Sequence, residues 1–325
     1  MRCRKRCFRL SVVLGAVFGL HGLVAEAQAV DAGSPEAPEL RRELDGHIFI
    51  PSRFTPDPFV QTSIASETGF GYGWAQGKTF DVNGNPVSTA AYQVGAFAQL
   101  LEYQYGFLPW WAVRVGATIV AYSGLNSAAA AGIGTSAATS VNLGTTLSWK
   151  VGDNLRFGGS VDVVLGPAVI LNVVQAVVSS INSGEIVSPV NSYSKFTFQP
   201  TFVGAWAINK PLGLTFSLGY IYANASSTTD VTVKSNLLAV TTLLDFDMSR
   251  LGWVPIGFIG GLQTQFSVAD TNFLLWRYQF GIFYTGVKQL NVGAEFLYQR
   301  APIVGATSVF LSSFQMLIDL QYNFN

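Results

Sequence analysis

Regular alternation of apolar and polar residues is the sequence feature that most restricts how this chain can fold. Between Phe310 and Phe324 the even positions are mainly apolar, whereas the odd positions between Ser313 and Asn323 are mainly polar. Successive side chains of a β-strand point to opposite faces, while the apolar positions of an amphipathic helix recur at every third or fourth residue. The alternation therefore predicts a long strand with one apolar and one polar face.

The same alternation recurs from residue 59 onward and predicts twelve strands in all. They lie at about 59–76, 92–106, 111–123, 140–151, 155–166, 195–206, 214–222, 238–248, 256–266, 274–285, 290–299 and 310–324. Soluble strands have about five or six residues, whereas a tilted membrane strand needs about 9–11, so the predicted lengths favour membrane spanning. The apolar parity switches at Leu100 and Leu101, which predicts a β-bulge.

The connections between these strands alternate between tight and long ones. The tight connections lie near 108–109, 152–154, 209–211, 249–254 and 287–289. The longer or more polar connections lie near 77–91, 124–139, 167–192, 224–230, 268–271 and 301–306. Membrane barrels have short turns at one end and longer loops at the other, together with an even strand number. This spacing therefore predicts that both ends of the strand array lie on the side of the short turns.

The seven tryptophans lie near the ends of predicted strands and not in their middles. Such placement is typical of the aromatic girdles at the two membrane interfaces. The predicted girdle consists of Trp74, Trp110, Trp111, Trp149, Trp206, Trp253 and Trp276.

The N-terminal 29 residues have the layout of a secretory signal peptide. Five basic residues between Arg2 and Arg9 precede an apolar run from Leu10 to Ala25, and small residues at 25, 27 and 29 offer cleavage sites. A retained N-terminal anchor is the alternative. We therefore predict a signal peptide at 1–29, a pre-barrel segment at 30–58 and a transmembrane β-barrel at 59–325.

Cysteine and charge content exclude several functions for the mature chain. Cys3 and Cys7 both lie in the predicted signal peptide, so a disulfide, a thiolate metal site and a cysteine nucleophile are excluded. Removal of residues 1–29 leaves 14 Lys+Arg and 18 Asp+Glu, a balance that gives no indication of nucleic-acid binding. Only 12% of the residues are charged, against about 25% in ordinary soluble domains.

These features together resemble the outer-membrane β-barrel proteins of Gram-negative bacteria, including porins and transporters. The resemblance rests on the signal peptide, the alternating strands and the closing stretch from Leu320 to Phe324. It implies an all-β fold, a closed antiparallel barrel of about twelve strands in contact with outer-membrane lipid. It also implies recognition by the barrel-assembly machinery through Tyr322 and Phe324, although Asn325 follows the aromatic residue with which such chains usually end.

A helical membrane protein is the rival fold, and its best candidate is the uncharged run from Val163 to Gly184. Gly166 and Pro167 interrupt that run, and the helix-like remainder, 168–181, is shorter than the roughly 20 residues that a spanning helix needs. The period of two elsewhere in the chain disfavours this alternative.

If the apolar parity faces lipid, the opposite parity faces the barrel interior. The predicted charged residues of the lumen are Glu67, Glu102, Arg114, Lys150, Arg156, Asp162, Lys195, Asp245, Asp247, Arg277, Glu295 and Asp319. These charges either line a polar pore or pair with one another and fill the interior. Strand number leaves both alternatives open, because eight strands are just filled by side chains and sixteen enclose water.

The long connection at 167–192 is predicted to contain a short helix. Its apolar residues recur at helical spacing and consist of Ile170, Val173, Val174, Val177 and Ile181. This apolar face either rests on the barrel rim or folds into its mouth, as in transporters of fatty acids and aromatic hydrocarbons, a comparison by analogy only. The Ala/Gly/Ser-rich loop 124–139 is predicted to pack against another part of the protein.

The pre-barrel segment 30–58 is rich in proline. Glu39 to Asp45 could form one or two helical turns, and the segment either packs at the rim or enters the lumen as a plug. Its His47 is the single histidine of the mature chain, and we interpret it as structural and not as the base of a barrel lipase.

The sequence thus predicts a channel or transporter for small molecules, including hydrophobic ones, with no enzymatic activity. No cofactor or metal motif is recognised. A structural barrel with a filled lumen is the main alternative, ahead of a lipid-acting enzyme, and the moderate loops give little support to an adhesive role.

Overall fold

A computed structural model of the chain describes residues 42–80, 86–132, 134–171, 180, 190–227, 232–252, 254–268, 273–287, 289–302 and 310–324. A hairpin of two short strands, β1 (Glu43–Leu44) and β2 (His47–Ile48), precedes twelve long strands. These are β3 (Thr62–Phe80), β4 (Pro86–Leu108), β5 (Trp111–Gly124), β6 (Thr135–Lys150), β7 (Leu155–Leu171), β8 (Val190–Asn209), β9 (Leu212–Ser227), β10 (Thr232–Asp247), β11 (Ile256–Ser267), β12 (Leu274–Tyr284), β13 (Leu290–Pro302) and β14 (Phe310–Phe324).

The strands β3 to β14 form one closed antiparallel barrel in which every strand pairs with its neighbours in the sequence. The last strand, β14, pairs with the first, β3, from Leu311↔Ala75 to Phe324↔Thr62. Closure leaves no unpaired sheet edge, which is the condition under which strands can cross a hydrocarbon layer. The predicted fold class, a closed antiparallel barrel of twelve strands, is confirmed.

The two faces of the barrel differ as the alternation predicts. Outward-facing residues such as Phe70, Leu218 and Tyr278 are about half exposed, whereas inward-facing Glu67 and Gln104 are buried. Among the described side chains of the strands, three basic ones are exposed, and each lies within two residues of a strand end: Lys150, Lys234 and Arg300. This distribution places apolar side chains along the middle of the outer surface.

The predicted β-bulge at Leu100 and Leu101 is wrong. The pairing of β4 with β3 and with β5 runs through both residues without a shift. Leu100 is fully buried in the interior and Leu101 is 55% exposed on the outer face. The change of apolar parity therefore reflects an apolar residue, Leu100, that faces the lumen, and not an inserted residue. The pairings of β4 do contain register shifts, but these lie near Phe80 of β3 and near Leu108.

The connections define two ends of the barrel. The turn end carries the connections 109–110, 151–154, 210–211, 248–255 and 285–289, and the loop end carries 81–85, 125–134, 172–189, 228–231, 268–273 and 303–309. Because Thr62 pairs with Phe324, the first barrel strand begins and the last one ends at the turn end.

A short helix lies in the connection between β5 and β6 at the loop end, whereas the sequence predicted a helix in the connection at 167–192. Helix α1 (Ser127–Gly132) connects β5 and β6, and the Asn126 carboxamide oxygen accepts a hydrogen bond from the Ala129 amide at 2.9 Å. Residues 168–171 of the predicted apolar helix continue strand β7, since they extend its pairing with β8. Ile170 therefore lies in a strand, and Val173, Val174, Val177 and Ile181 lie outside the described residues. Among the parts of the chain that the structure describes, no helix has the length and apolar character to cross a membrane.

The tryptophans lie toward the two ends of the barrel. Trp74 and Trp276 point outward near the loop end, and Trp110, Trp149 and Trp206 point outward near the turn end. Trp111 is half-buried and its indole Nε1 donates to Thr145 Oγ1 at 2.8 Å, while Trp253 lies outside the described residues. Their role as an interface girdle remains a prediction.

Replacement of an outward residue in mid-strand tests the lipid-facing surface. We expect Phe280→Arg to lower the free energy of unfolding by about 2–4 kcal/mol, because the charge meets the bilayer midplane. Tyr284→Arg is the matched control at the turn end of the same strand, where the cost falls to about 0–1 kcal/mol. Urea unfolding in lipid vesicles measures both, and equal costs at the two positions would contradict the assignment.

Candidate functional site

The N-terminal segment, defined as residues 42–61, lies inside the turn end of the barrel. Its large side chains are almost completely buried, among them Leu44, Phe49 and Phe59, and His47 is fully buried. Residues of this segment contact strands from every side of the barrel, from Ser148 on β6 to Glu67 on β3. The interior at this end is therefore occupied by a separate piece of chain and not only by side chains of the wall.

The segment begins with the β1–β2 hairpin, in which Glu43 pairs with Ile48 and Leu44 with His47. The two turn residues, Asp45 and Gly46, have positive φ values of 46° and 80°. Aspartate tolerates and glycine favours this left-handed region, as two-residue hairpins with Asp-Gly require. The turn explains why Glu43 and Leu44 form a strand where the sequence suggested a helical turn over Glu39 to Asp45.

An internal ion pair ties the two ends of the segment together. The Arg42 guanidinium pairs with the Asp57 carboxylate, and Arg42 Nε donates to the Phe49 carbonyl at 2.9 Å. Two guanidinium groups lie near the ring of Phe59, that of Arg42 at 5.7 Å and that of Arg156 of the wall at 5.3 Å from its centroid. The segment thus holds its own shape and is not a loose peptide within the lumen.

Apolar contacts seat the segment on the wall at two places. Ile50 and Phe54 pack with Leu243, Ile259 and Phe283 of strands β10, β11 and β12. Further round the wall, beyond β9, Leu44, Phe49 and Phe59 pack against two small residues of β8, Ala205 and Ala207.

Glycines of the wall provide the space for these contacts. A Cβ atom on Gly213 would overlap the His47 ring, and one on Gly257 would overlap the Ile50 side chain. A Cβ on Gly158 would lie 3.1 Å from Pro58 Cα. Because inward positions of a barrel can hold large side chains, the missing side chains at these three positions shape the wall around the segment.

Arg53 is the deepest charged residue of the segment and meets four carboxyl groups. Its Nε lies 2.7 Å from Glu67 Oε2 and 3.6 Å from Asp319 Oδ1, and its Nη1 lies 3.8 Å from Glu102 Oε1. Its backbone amide donates to Glu295 Oε1 at 3.3 Å. We call Glu67, Glu102, Glu295 and Asp319 the acidic wall. Burial alone would lower the pKa of Arg53, but these carboxylates outweigh burial and raise it, so the guanidinium stays charged.

A second acidic contact holds the hairpin. His47 Nε2 lies 3.4 Å from Asp245 Oδ1, and Asp245 Oδ2 accepts the Ile50 amide at 2.5 Å. The other ring nitrogen, Nδ1, lies 3.0 Å from the Lys210 carbonyl, which can only accept, so this nitrogen carries a proton. Burial disfavours a charged ring, but Asp245, the Lys210 carbonyl and the more distant Asp247 outweigh it and raise the pKa of His47 above its ordinary value.

Most of the charged residues predicted for the lumen lie in the barrel interior. Nine are buried: Glu67, Glu102, Arg114, Asp162, Asp245, Asp247, Arg277, Glu295 and Asp319. Arg114 forms an ion pair with Asp162, and Arg277 donates to the side chains of Gln299 and Gln263, at 3.1 Å in both cases.

The remaining three charged residues differ from one another. Arg156 is half-buried and donates to Ser148 Oγ at 3.1 Å. Lys195 is half-buried and lines a small cavity of about 30 Å³ with Tyr122 and Pro167, enough for about one water molecule. Lys150 is the last residue of β6, and its side chain is 44% exposed at the turn end beside Asp153 in the following turn, so its place in the lumen stays a prediction.

The loop end of the interior is apolar. A cluster of buried side chains from β3, β4, β5, β9, β10, β12, β13, β14 and helix α1 lies there. It consists of Ala75, Val94, Tyr122, Ala129, Ile221, Leu237, Ala239, Phe273, Leu275, Ala301 and Leu311. We call this group the apolar ring. From loop end to turn end the lumen therefore runs from the apolar ring past the acidic wall to the N-terminal segment.

The sequence did not identify Arg53, Arg42 and Asp57 as site residues, and it identified His47 only as a structural histidine with no named partner. A signal for Arg53 was present: the inward positions of β3, β4, β13 and β14 carry four acidic residues, which require a positive partner from outside those strands. Within the residues that the structure describes, no group of three or more His, Cys, Asp and Glu side chains is arranged to hold a metal ion.

No family model matches the sequence, and no curated protein matches it. Among solved structures, the barrel is similar to the translocator domain of the autotransporter NalP from Neisseria meningitidis, with a TM-score of 0.48 and 10% identity over 82% of this chain and 89% of that chain. A Pseudomonas aeruginosa FadL homologue gives a TM-score of 0.49 and 12% identity over 93% of this chain and 99% of that one. The Pseudomonas putida toluene transporter TodX gives 0.42 and 10% over 91% and 99%. These similarities concern barrel architecture alone and not the cargo.

A single added methyl group tests whether the Ile50 side chain packs directly on Gly257 of the wall. We expect Gly257→Ala to displace the N-terminal segment, because overpacking of this kind costs about 1–3 kcal/mol. Trypsin cleavage after Arg42 and Arg53 should then be roughly 5-fold to 150-fold faster, if cleavage follows the population of the open state.

The control for this variant is Gly260→Ala in the same strand, where nothing lies within 4 Å of the added Cβ. Equal cleavage rates in Gly257→Ala, Gly260→Ala and the unmodified chain would show that the segment does not rest on the wall as described.

The His47 contact predicts a pH-dependent contribution to stability. Its pKa is raised in the folded chain, so the stabilisation is complete below the ordinary value of about 6.5 and is lost as the pH rises through the raised value. The difference in unfolding free energy between the unmodified chain and His47→Gln should therefore be largest near pH 5.5 and shrink toward pH 9. Urea unfolding at a series of pH values measures it; a difference that does not vary with pH would rule out a charged His47.

Proposed function

We propose that this protein is an outer-membrane channel for small molecules, closed at rest by its own N-terminal segment. One observation carries the proposal: the turn end of the lumen is blocked by residues 42–61, a segment seated on glycines of the wall and bound to it by ion pairs. Within the described residues its covalent link to the barrel is the step from Gln61 to Thr62. It can therefore leave the lumen without any change in the pairing of the twelve strands.

A structural barrel with a permanently filled lumen is the alternative, and the arrangement of charges disfavours it. Glu67 and Asp319 are direct cross-strand partners in the β3–β14 pairing. Like charges directly opposite each other destabilise a sheet, and wall residues alone could fill the space with neutral side chains. The wall instead places its acidic groups where a residue of the movable segment must neutralise them.

The apolar ring supports a cargo with an apolar part. A solute that enters from the loop end meets Phe273, Leu275 and Leu311 before it reaches the acidic wall. Desolvation of apolar surface in the ring favours entry of such a solute over that of a sugar or an inorganic ion.

The location follows from the proposed role. We infer that the signal peptide at 1–29 directs the chain out of the cytoplasm, and that the outward face lies against outer-membrane lipid. Tyr322 and Phe324, which we propose as contacts for the barrel-assembly machinery, both point outward and their rings lie 5.1 Å apart in an edge-to-face arrangement. We propose no catalytic activity, since the buried His47 is engaged by Asp245 and the Lys210 carbonyl.

Substitution of Arg53 tests the closed state. Loss of one partner of a buried charge cluster costs about 3–5 kcal/mol, so Arg53→Ala should free the segment. In planar bilayers we expect frequent channel openings from Arg53→Ala and more from Arg53→Glu, with Arg53→Lys closest to the unmodified chain, which should stay mostly closed.

Arg300→Ala, which removes an exposed guanidinium over the Phe310 ring at the loop end, is the control and should stay mostly closed. The proposal would be abandoned if Arg53→Ala and Arg53→Glu, folded and inserted, showed no more openings than Arg300→Ala.

A further inference from the structure

We infer that the acidic wall is a binding site for a small organic cation, a guanidinium or primary amine, and that Arg53 occupies this site in the closed state as a built-in ligand. The inference deepens the proposed function, on which it rests for the idea that Arg53 can leave. It assigns a positive group to the cargo, in addition to the apolar part that the apolar ring favours.

The charge balance of the site favours a cation. Three carboxyl groups lie within 4 Å of a single guanidinium, a fourth accepts the main-chain amide of the same arginine, and each of the four residues is more than nine-tenths buried. Arg114, on neighbouring strand β5, is already paired with Asp162. Removal of Arg53 therefore leaves a cluster of buried carboxyl groups that must either take up protons or bind another cation.

The strand order concentrates these groups on one side of the lumen. The acidic wall comes from β13, β14, β3 and β4, which are consecutive neighbours in the barrel. Glu67 and Asp319 face each other directly across the β14–β3 pairing. Four acidic residues that converge on one arginine form a cradle, whereas charges distributed around the lumen would not.

Unsatisfied oxygen atoms show that the cradle can accept more donors than Arg53 supplies. Glu295 Oε2 and Glu67 Oε1 are buried and have no hydrogen-bond partner in the described part of the chain. Glu295 is fully buried and meets Arg53 through the backbone amide. A guanidinium carries five N–H donors and an ammonium three, and a free molecule can orient them without the constraint of the Arg53 main chain.

The geometry favours an organic cation over a metal ion. The described acidic residues include no group arranged for metal ligation, whereas a guanidinium already lies in the cradle. The apolar ring lies eight residues further along the same strands, at Ala75 and Leu311 relative to Glu67 and Asp319, which is about 26 Å of strand. A small cargo therefore contacts the apolar ring and the acidic wall in succession and not simultaneously.

Chemical complementation of Arg53→Ala tests the site. Millimolar methylguanidinium should raise the thermal unfolding temperature of folded Arg53→Ala by about 5 °C in a saturable way, and should leave the unmodified chain unchanged because Arg53 fills its site. Methylurea, which is neutral and of the same shape, and sodium at equal ionic strength should give no shift. The triple variant Arg53→Ala, Glu295→Gln, Asp319→Asn should not respond to methylguanidinium.

The site assignment is overturned if methylurea shifts Arg53→Ala as much as methylguanidinium does, if the triple variant responds equally, or if no shift occurs. Single-channel conductance distinguishes failure of the cation site from failure of the proposed channel. If Arg53→Ala conducts but does not bind methylguanidinium, the channel proposal stands and the cation site is rejected. If it binds methylguanidinium but does not conduct, the cation site stands and the channel proposal is rejected.

The unmodified chain provides a second test that does not depend on folding of a variant. At concentrations well above those that saturate Arg53→Ala, methylguanidinium should compete with Arg53 and accelerate trypsin cleavage within residues 42–61, whereas methylurea should not. Equal cleavage with the two compounds, after correction for their effect on trypsin with a peptide substrate, would contradict the inference.

Discussion

Pairing of every backbone amide and carbonyl within the protein is the constraint on which this structure depends. In hydrocarbon an unpaired group costs several kcal/mol, and the ring of twelve antiparallel strands removes the cost by joining β14 to β3. Closure also creates an interior that the chain must fill, line or leave open to water. The polar side chains of the inward parity therefore lie in a confined space where each charge needs a partner.

The interior meets this requirement in different ways along its length. Near the loop end a cluster of apolar side chains needs no partners, and elsewhere pairs such as Arg114–Asp162 neutralise themselves within the wall. The acidic wall and Asp245 differ, because their positive partners, Arg53 and His47, come from the N-terminal segment. This dependence of the wall on a separable segment links the electrostatics of the lumen to its closure, and the same link gives the lumen a preference for cations once Arg53 has left.

The sequence predicts the barrel well and its interior poorly, for a physical reason. Alternation along a strand is local, so the twelve strands and the inward direction of Glu67 or Asp245 follow from the sequence. The strands extend further toward the loop end than predicted, at Thr232 for example, where the alternation of apolar and polar residues fades. What fills the lumen depends on contacts between residues distant in sequence, such as Arg53 with Asp319, and no periodic pattern records them. The sequence does not explain why positions 213 and 257 of the inward face are glycine, because the reason is the N-terminal segment that packs against them.

Hydrogen exchange in lipid bilayers is the most direct test of whether the N-terminal segment closes the lumen. The amides of Phe49, Ile50 and Phe59 donate to Arg42, Asp245 and Asp57, within a barrel whose wall shields them. We expect these amides to exchange slowly, with protection that approaches that of the surrounding strands. Exchange as fast as that of an unstructured peptide, in a barrel whose strands are protected, would show that the lumen is not closed by this segment.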